Sequence, residues 1–337
     1  MKKSISIIIP NYNKSSTIGK CLEAAFASNY SNFEVIVVDD CSTDNSIGII
    51  RQFPCKLIQL QRHSGASKAR NVGAQNSSSE IFFFIDADCL LQKNTLALVN
   101  NVFIKYGSAV IGGTYTRLPY DDVFFSTFQS IYVNYFETKK EEPDYIAAHA
   151  MIIDSDIFNK SGGFYGGFLP IIEDVEFSHR LRRAGYRLLM NPDIQVQHIF
   201  NFTLIRSLKN AFRKSLYWTI YSMKNRDLLK DSGAASAELK LNVASCFLTA
   251  LLVIVFFIFK NAALLILIPF VIIFNLFVSR RFLKAIADAK GLSFAVTAAL
   301  YYTMPYPLAV GAGALAGMAG YFMGFKPKRY TDDVFAS

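Results

Sequence analysis

The chain has 337 residues, long enough for two average domains, and is 52% hydrophobic but only 18% charged. Its mean hydropathy of +0.27 is high for a soluble protein. The net charge of +9 would suit nucleic acid, but the basic residues cluster beside apolar segments, so an anionic membrane surface is the better partner and nucleic acid is set aside. Five cysteines (Cys21, Cys41, Cys55, Cys89, Cys246), an odd count with no metal-type spacing, exclude a disulfide framework and fit a reducing compartment.

Met1-Lys2-Lys3 and the apolar run after it resemble a signal peptide, but the run stops at Pro10-Asn11. That is too short for a signal's apolar core, so residues 5–9 read as a first strand. An amphipathic helix follows, capped around residues 15–17, with Ile18, Leu22, Ala25 and Phe26 on one face. Strand 33–38 ends in Asp39-Asp40-Cys41-Ser42-Thr43-Asp44, then come helix 46–52, strand 56–60 and a helix opening in the 65–73 segment. Near-continuously apolar strands alternating with helices predict a parallel α/β sheet covered on both faces. Ligands of such sheets lie beyond the carboxyl ends of the strands.

The run Ile81-Phe82-Phe83-Phe84-Ile85 is too short for an ordinary helix and suits a strand buried on both faces. It stops at Asp86-Ala87-Asp88. Alternate residues of an extended backbone point the same way, so both acids would face one point, where hard oxygens suit Mg²⁺ or Mn²⁺. Asp39 and Asp40 can accept bonds from a ribose or a base, or only cap a turn. Lys68 and Arg70 sit near a helix start, a place for phosphate. Further on, Glu173-Asp174 opens a helical pattern through Phe177, Leu181 and Ala184 that Gly185 ends, and two strands, 186–190 and 194–197, precede His198. His198 is a candidate third ligand beside the acid pair.

Seven motifs stand in order: SIIIPNYN, EVIVVDDCSTDNS, GASKARNVG, FFFIDADC, GGF, EDVEFSHRLRRAGYRL and VQH. In that order and spacing, the first ~200 residues resemble family 2 glycosyltransferases of the GT-A fold. The resemblance implies a Rossmann-like mixed, mostly parallel sheet and inverting transfer of a sugar from a UDP- or GDP-sugar. It implies that Pro10, Tyr12, Asn13, Asp39 and Asp40 hold the nucleoside, with Lys68, Arg70, Asp86 and Glu173 around the rest of the nucleotide sugar. Asp86, Asp88 and His198 would hold the metal, and Asp174 would be the catalytic base. Residues 145–150 and 162–169 are the expected selectivity region. The Gln-x-x-Arg-Trp signature of polymerising synthases is missing, since the sole tryptophan, Trp218, follows Lys214-Ser215-Leu216-Tyr217. One sugar added at a time is therefore expected. A polyprenyl-phosphate sugar synthase is the nearer rival. A nucleotidyltransferase of the same sheet architecture would need a Gly-rich basic loop where Pro10-Asn11-Tyr12-Asn13 stands, and a transporter or scaffold would leave the acid motifs idle.

After residue 203 the character changes. Residues 204–241 begin with a basic amphipathic stretch (Arg206, Lys209, Arg213 and Lys214 among Leu204, Leu208, Phe212 and Trp218), the kind that lies in a membrane interface. Residues 242–325 hold three apolar segments, 243–259, 262–278 and 294–325, the last broken by Pro305 and Pro307. These predict C-terminal transmembrane helices, a multi-pass protein (in the cytoplasmic membrane if bacterial) and a catalytic domain, residues 1–203, facing the cytoplasm. The third segment is left as one span, a re-entrant loop or a split pair. A tail, 326–337, closes the chain. The Gly311–Ala316 stretch mimics a dinucleotide fingerprint but follows no strand, so it is rejected. The glycines of helix 308–324 read as small-residue packing, within the chain or in a homo-oligomer. An apolar third of the chain suits a lipid-linked acceptor, whose phosphates Arg180, Arg182, Arg183 and the 206–214 stretch would meet.

Overall fold

The computed structural model describes residues 2–107, 109–166 and 170–325. The expected tail, 326–337, and residues 167–169 of the expected selectivity region lie outside the described residues. The chain divides into two compact units, one of residues 2–122 and 137–200, the other of 123–136 and 201–325. The second unit thus takes a segment from within the stretch read as the catalytic domain.

The first unit runs β1 (Ile5–Asn11), α1 (Ile18–Phe26), β2 (Phe33–Asp39), α2 (Ser46–Ile50), β3 (Lys56–Gln59), α3 (Ala66–Gln75), β4 (Ile81–Ile85), β5 (Cys89–Leu91), α4 (Thr95–Tyr106) and β6 (Val110–Tyr115). After α5 (Phe124–Glu137), which lies almost wholly in the second unit, come β7 (Ala150–Asp154), α6 (Ser155–Lys160), α7 (Glu173–Arg183) and β8 (Leu188–His198). Eight strands form one sheet in the order β3-β2-β1-β4-β7-β6-β8-β5. The β1–β2, β1–β4, β2–β3 and β6–β8 pairs are parallel, and β4–β7, β6–β7 and β5–β8 are antiparallel. The sheet is therefore mixed, its parallel half being the part read from the alternating pattern.

All five residues of β4 are buried, as a strand covered on both faces requires. Phe82 and Phe84 pack with Phe158, Phe164 and Phe177 in the main core under α6 and α7. Gly73 brings α3 tight onto β1, for a Cβ there would stand 2.4 Å from Ile8 Cγ2. Pro10 lies beyond the last β1–β4 pair, Ile8 with Phe84, so its missing N–H breaks no ladder bond to β4. The two strands expected over 186–197 are one bulged strand. The β6 pairing jumps from Gly112–Met190 to Thr114–Gln195, leaving 191–194 as the extra length of β8.

The second unit adds α8 (Leu204–Asn225), α9 (Ala237–Phe259), α10 (Ala263–Val278), α11 (Arg280–Lys290), α12 (Leu292–Thr303) and α13 (Pro305–Phe322) to α5. Its centre is aromatic: Phe128, Tyr132 and Phe136 of α5 meet Phe282 of α11 at ring distances of 6.0, 5.6 and 5.4 Å, and Tyr302 of α12 joins Phe282 at 5.0 Å. Buried Asn242 of α9 donates to the Tyr302 carbonyl (2.7 Å) and accepts from Asn275 of α10 (2.8 Å).

Among the described residues only α9 is by itself long and apolar enough to cross a membrane; α10 and α11 pass together, as a pair bent by 63°. The third expected segment is split at Met304 into α12 and α13. The glycine face of α13 is already filled inside the chain. A Cβ on Gly313 would meet the Phe212 carbonyl oxygen of α8 at 2.3 Å, and one on Gly317 the Leu216 oxygen at 2.6 Å. Gly313 and Gly317 are thus packed against α8 and Gly311 against Phe247 of α9, within the chain; nothing in these contacts supports an oligomer through helix 308–324.

Gly313→Val is expected to lower the stability of the helical unit by roughly 1–3 kcal/mol, read as a lower melting temperature in detergent. Gly320→Ala, whose Cβ would have 3.6 Å to its nearest neighbour, is the expected near-neutral control.

Candidate active site

The strand β4 ends at Ile85 because the chain turns: the Cys89 N–H closes back on the Asp86 carbonyl at 3.0 Å and starts β5. The backbone through Asp86-Ala87-Asp88 is thus not extended, and the alternation that would aim both acids at one point does not operate. The two side chains take different partners. Asp86 accepts from Arg70 at 2.8 Å, whereas Asp88 accepts from Lys14 at 2.5 Å and has His198 Nε2 3.2 Å from its other oxygen. His198 is brought there by the β5–β8 pairing, in which it stands opposite Cys89, and by the Ile199 N–H bond to the Asp88 carbonyl (2.9 Å). Its ring lies against Phe200 at 3.9 Å and edge-on to Tyr115 at 4.9 Å.

Asp88, Cys89 and His198 have ligating atoms within 4.8 Å of one another; Asp86 is not in that group. Burial pushes the Cys89 thiol well above its usual range, which leaves it a neutral, soft and poor ligand for a hard cation. Burial would also raise Asp88, but the charges of His198 and Lys14 outweigh it and hold the carboxyl well below the usual range. An ionised carboxylate beside an imidazole whose Nδ1 is buried without a hydrogen-bond partner fits a divalent cation such as Mn²⁺.

Arg70 joins this strand end to α7. Its side chain is 5% exposed, and its two terminal nitrogens reach Asp86 (2.8 Å) and Glu173 (2.6 Å). Burial opposes its charge, but the two acids hold the guanidinium more firmly protonated than usual. Asp174, next to Glu173 in the first turn of α7, accepts from the N–H groups of Ala148 (3.1 Å) and Val175 (2.9 Å). Burial, reinforced by the Glu173 charge, pushes its carboxyl up to about 6, against the pull of those bonds and of Arg70.

The expected nucleoside residues cluster at the carboxyl ends of β1 and β2. Asp39 accepts from Asn11 Nδ2 (2.7 Å) and the Ser42 N–H (3.0 Å), and Asp40 from the N–H groups of Ser64 and Gly65 (2.7 and 2.8 Å). Both acids are buried and fix the loops that surround them. Asn13, at φ 52°, accepts from the Thr43 N–H at 2.7 Å. Tyr12 is 43% exposed, with the His63 ring 4.1 Å away, and His63 Nδ1 lies 2.9 Å from Asp40. Pro10, opposite Val38, is the next-to-last residue of the β1–β2 ladder, just before them. Lys68 is half-buried on α3, and burial and Arg62 lower its pKa.

The Gly-Gly-Phe motif is held by the Ala-Arg-Asn motif. Asn71 accepts from the Phe164 N–H (2.9 Å) and donates to its carbonyl (2.8 Å), and a Cβ on Gly163 (φ 66°) would strike Asn71 Oδ1 at 2.6 Å. Arg180, expected to meet acceptor phosphates, is spent on the same loop: it donates to the carbonyls of Ser161 and Gly163 and pairs with Glu176. Arg182 and Arg183 remain exposed. Sequence reasoning missed Lys14 and His63, both beside quoted motifs, because neither residue type at those positions announces a partner 23 or more residues away. Arg70→Lys, which cannot span both acids as a fork, is expected to cost about 1–3 kcal/mol, checked by thermal unfolding.

Residues 6–167 match the model of glycosyl transferase family 2. An uncharacterized glycosyltransferase of Haemophilus influenzae is 30% identical over 193 residues, 52% of this chain and 61% of that protein. The UDP-Glc:α-D-GlcNAc-diphosphoundecaprenol β-1,3-glucosyltransferase WfgD of Escherichia coli is 30% identical over 114 residues, 33% of this chain and 45% of that protein. The chain thus spans less than two thirds of either relative. The mannosyltransferase PcManGT from Pyrobaculum calidifontis, solved with GDP-Man and Mn²⁺, shares the fold at a TM-score of 0.59 and 18% identity, over 96% of this chain and 88% of that one. The match to the glycosyl transferase family 2 model takes in the acid-ended β4 and the loops of β1 and β2.

Proposed function

We propose that this protein is a membrane-bound, inverting glycosyltransferase that moves one sugar from a UDP- or GDP-sugar to a hydroxyl of a lipid-linked acceptor in glycan synthesis. One observation carries the reading: Arg70 ties Asp86 to Glu173, from 103 residues away, and so gathers the acid-ended strand and the Glu-Asp helix into one cluster. In this reading Asp174 takes the proton of the attacking hydroxyl, and its raised pKa suits that task. The acceptor oxygen bonds to the anomeric carbon as the bond to the nucleoside diphosphate breaks. A single displacement inverts that centre, and no covalent nucleophile is needed. Asp88 and His198 would hold the cation. Once bound, the cation neutralises charge on the departing diphosphate, and the mixed oxygen and nitrogen donors lean towards Mn²⁺ over Mg²⁺. Pro10, Tyr12, Asn13, Asp39 and Asp40 shape the nucleoside site, Tyr12 offering an exposed ring; Lys68 faces the phosphates, while Arg70 acts by fixing Asp86 and Glu173.

The lipid-linked acceptor is supported by the apolar C-terminal third and by the undecaprenol-linked acceptor in the name of the Escherichia coli relative. The Mn²⁺ and GDP-Man held by the Pyrobaculum calidifontis enzyme support the cofactor and donor class. In this proposal α9 and the bent α10–α11 pair sit in the membrane, the basic face of α8 lies on its surface, and the catalytic unit faces the cytoplasm, where donors are made.

Asp174→Asn is expected to lower transfer by about 10²–10⁴-fold while Mn²⁺-dependent UDP or GDP binding stays nearly intact, because Asn can still accept the Ala148 N–H. Loss of nucleotide binding instead would show that Asp174 is not the base. The pH profile follows from the sign of the shift. The carboxyl is neutral below about 6 and cannot accept a proton, so the rate is expected to fall about tenfold per pH unit below that value and to level off above it.

A further inference from the structure

Lys14 follows the Pro10-Asn11-Tyr12-Asn13 run in the loop between β1 and α1. Its main chain is pinned: the N–H donates to Ser46 Oγ at 3.0 Å, and the carbonyl accepts from the N–H groups of Thr17 and Ile18, each at 2.9 Å. The side chain is 42% exposed and ends with Nζ 2.5 Å from Asp88 Oδ2. Asp88 Oδ1 has His198 Nε2 at 3.2 Å. Each oxygen of the buried acid therefore faces one nitrogen partner, and a divalent cation held by Asp88 and His198 has to share Asp88 with Lys14. An ammonium on a four-carbon stem can swing where a guanidinium forked between two acids cannot. Arg70 is nearly sealed, and its two terminal nitrogens are held by Asp86 and Glu173.

We propose that Lys14 is a catalytic cation of the diphosphate site: it exchanges its bond to Asp88 for one to the donor's phosphate oxygens when the divalent ion takes Asp88. This rests on the transferase reading above. In the transfer step the acceptor oxygen–carbon bond forms, the carbon–phosphate oxygen bond breaks, the acceptor proton goes to Asp174 and the nucleoside diphosphate leaves with the bonding pair. Lys14 gives up no proton; it stays an ammonium and meets the charge that grows on the leaving phosphate. Its pinned backbone and free stem are what such an exchange requires: a fixed pivot with a terminal charge able to reach two neighbouring anions.

The test uses the full chain in detergent and three variants, Lys14→Met, Lys14→Arg and Asp88→Asn. Binding of Mn²⁺ alone is followed by the spin-resonance signal of the free ion, and binding of UDP and GDP is then titrated at saturating Mn²⁺. With its competitor gone, Lys14→Met is expected to bind Mn²⁺ several-fold tighter, yet to bind the nucleoside diphosphate about tenfold more weakly. Lys14→Arg should recover most of the nucleotide affinity. Opposite signs in one variant are not produced by general damage to the fold. Unchanged or weaker Mn²⁺ binding in Lys14→Met, or unchanged nucleotide binding, overturns the role of Lys14. If the wild-type chain binds neither Mn²⁺ nor nucleotide, or Asp88→Asn keeps its Mn²⁺ affinity, the transferase reading itself falls and takes this proposal with it.

Discussion

A guanidinium almost sealed from solvent, with a carboxylate on each arm, is the contact on which the site is built. Arg70 sits on α3, Asp86 at the end of β4 and Glu173 at the start of α7, so three elements far apart in the chain are fixed to one another by a single side chain. A buried charge persists only where it is well paired, and removal of any one member leaves the others exposed to that penalty. The same contact sets the environment of Asp174. Glu173 takes the direct contact with Arg70, while Asp174 is pushed up by burial and by the Glu173 charge, against the pull of Arg70.

Much of the first unit was legible in the sequence, because strands buried on both faces write themselves as unbroken apolar runs. β1, β2 and β4 are of that kind. The turn through Asp86-Ala87-Asp88 was not legible, since a strand that continues and a strand that turns have the same residues up to the last one. β6 was hidden for a different reason. Its Gly112-Gly113 carries no side chains to mark a strand, yet these glycines lie in a buried strand where a Cβ on Gly113 would meet the Ile194 carbonyl oxygen at 2.5 Å. Only the packed neighbour explains the residue. In the site, the sequence could not say which side chains are spent on the fold: Asp39, Asp40 and Arg180 hold loops, while Lys14 pairs with Asp88 and His63 lies against Asp40.

The C-terminal third shows the limit of hydropathy as a guide. Length and composition marked three segments, and the structure resolves them into one helix of spanning length, a bent pair and a split pair. What a hydropathy window cannot see is partner choice. α13 is apolar and glycine-rich because α8 lies against it, whereas α9 is apolar with most of its span-length window left uncovered. Hydrophobicity measures how little a segment likes water; it does not say whether protein or lipid takes the place of that water.

The amide chain from Asn275 through Asn242 to the Tyr302 carbonyl has a consequence for assembly. Each of α9, α10 and α12 contributes one member, and all of it lies in the dry interior of the helical unit. Apolar helices can slide or rotate past each other with little change in energy, but a helix carrying one polar group inside has a single rotation that satisfies it. The two asparagines therefore act as an alignment key for surfaces that would otherwise fit in many ways.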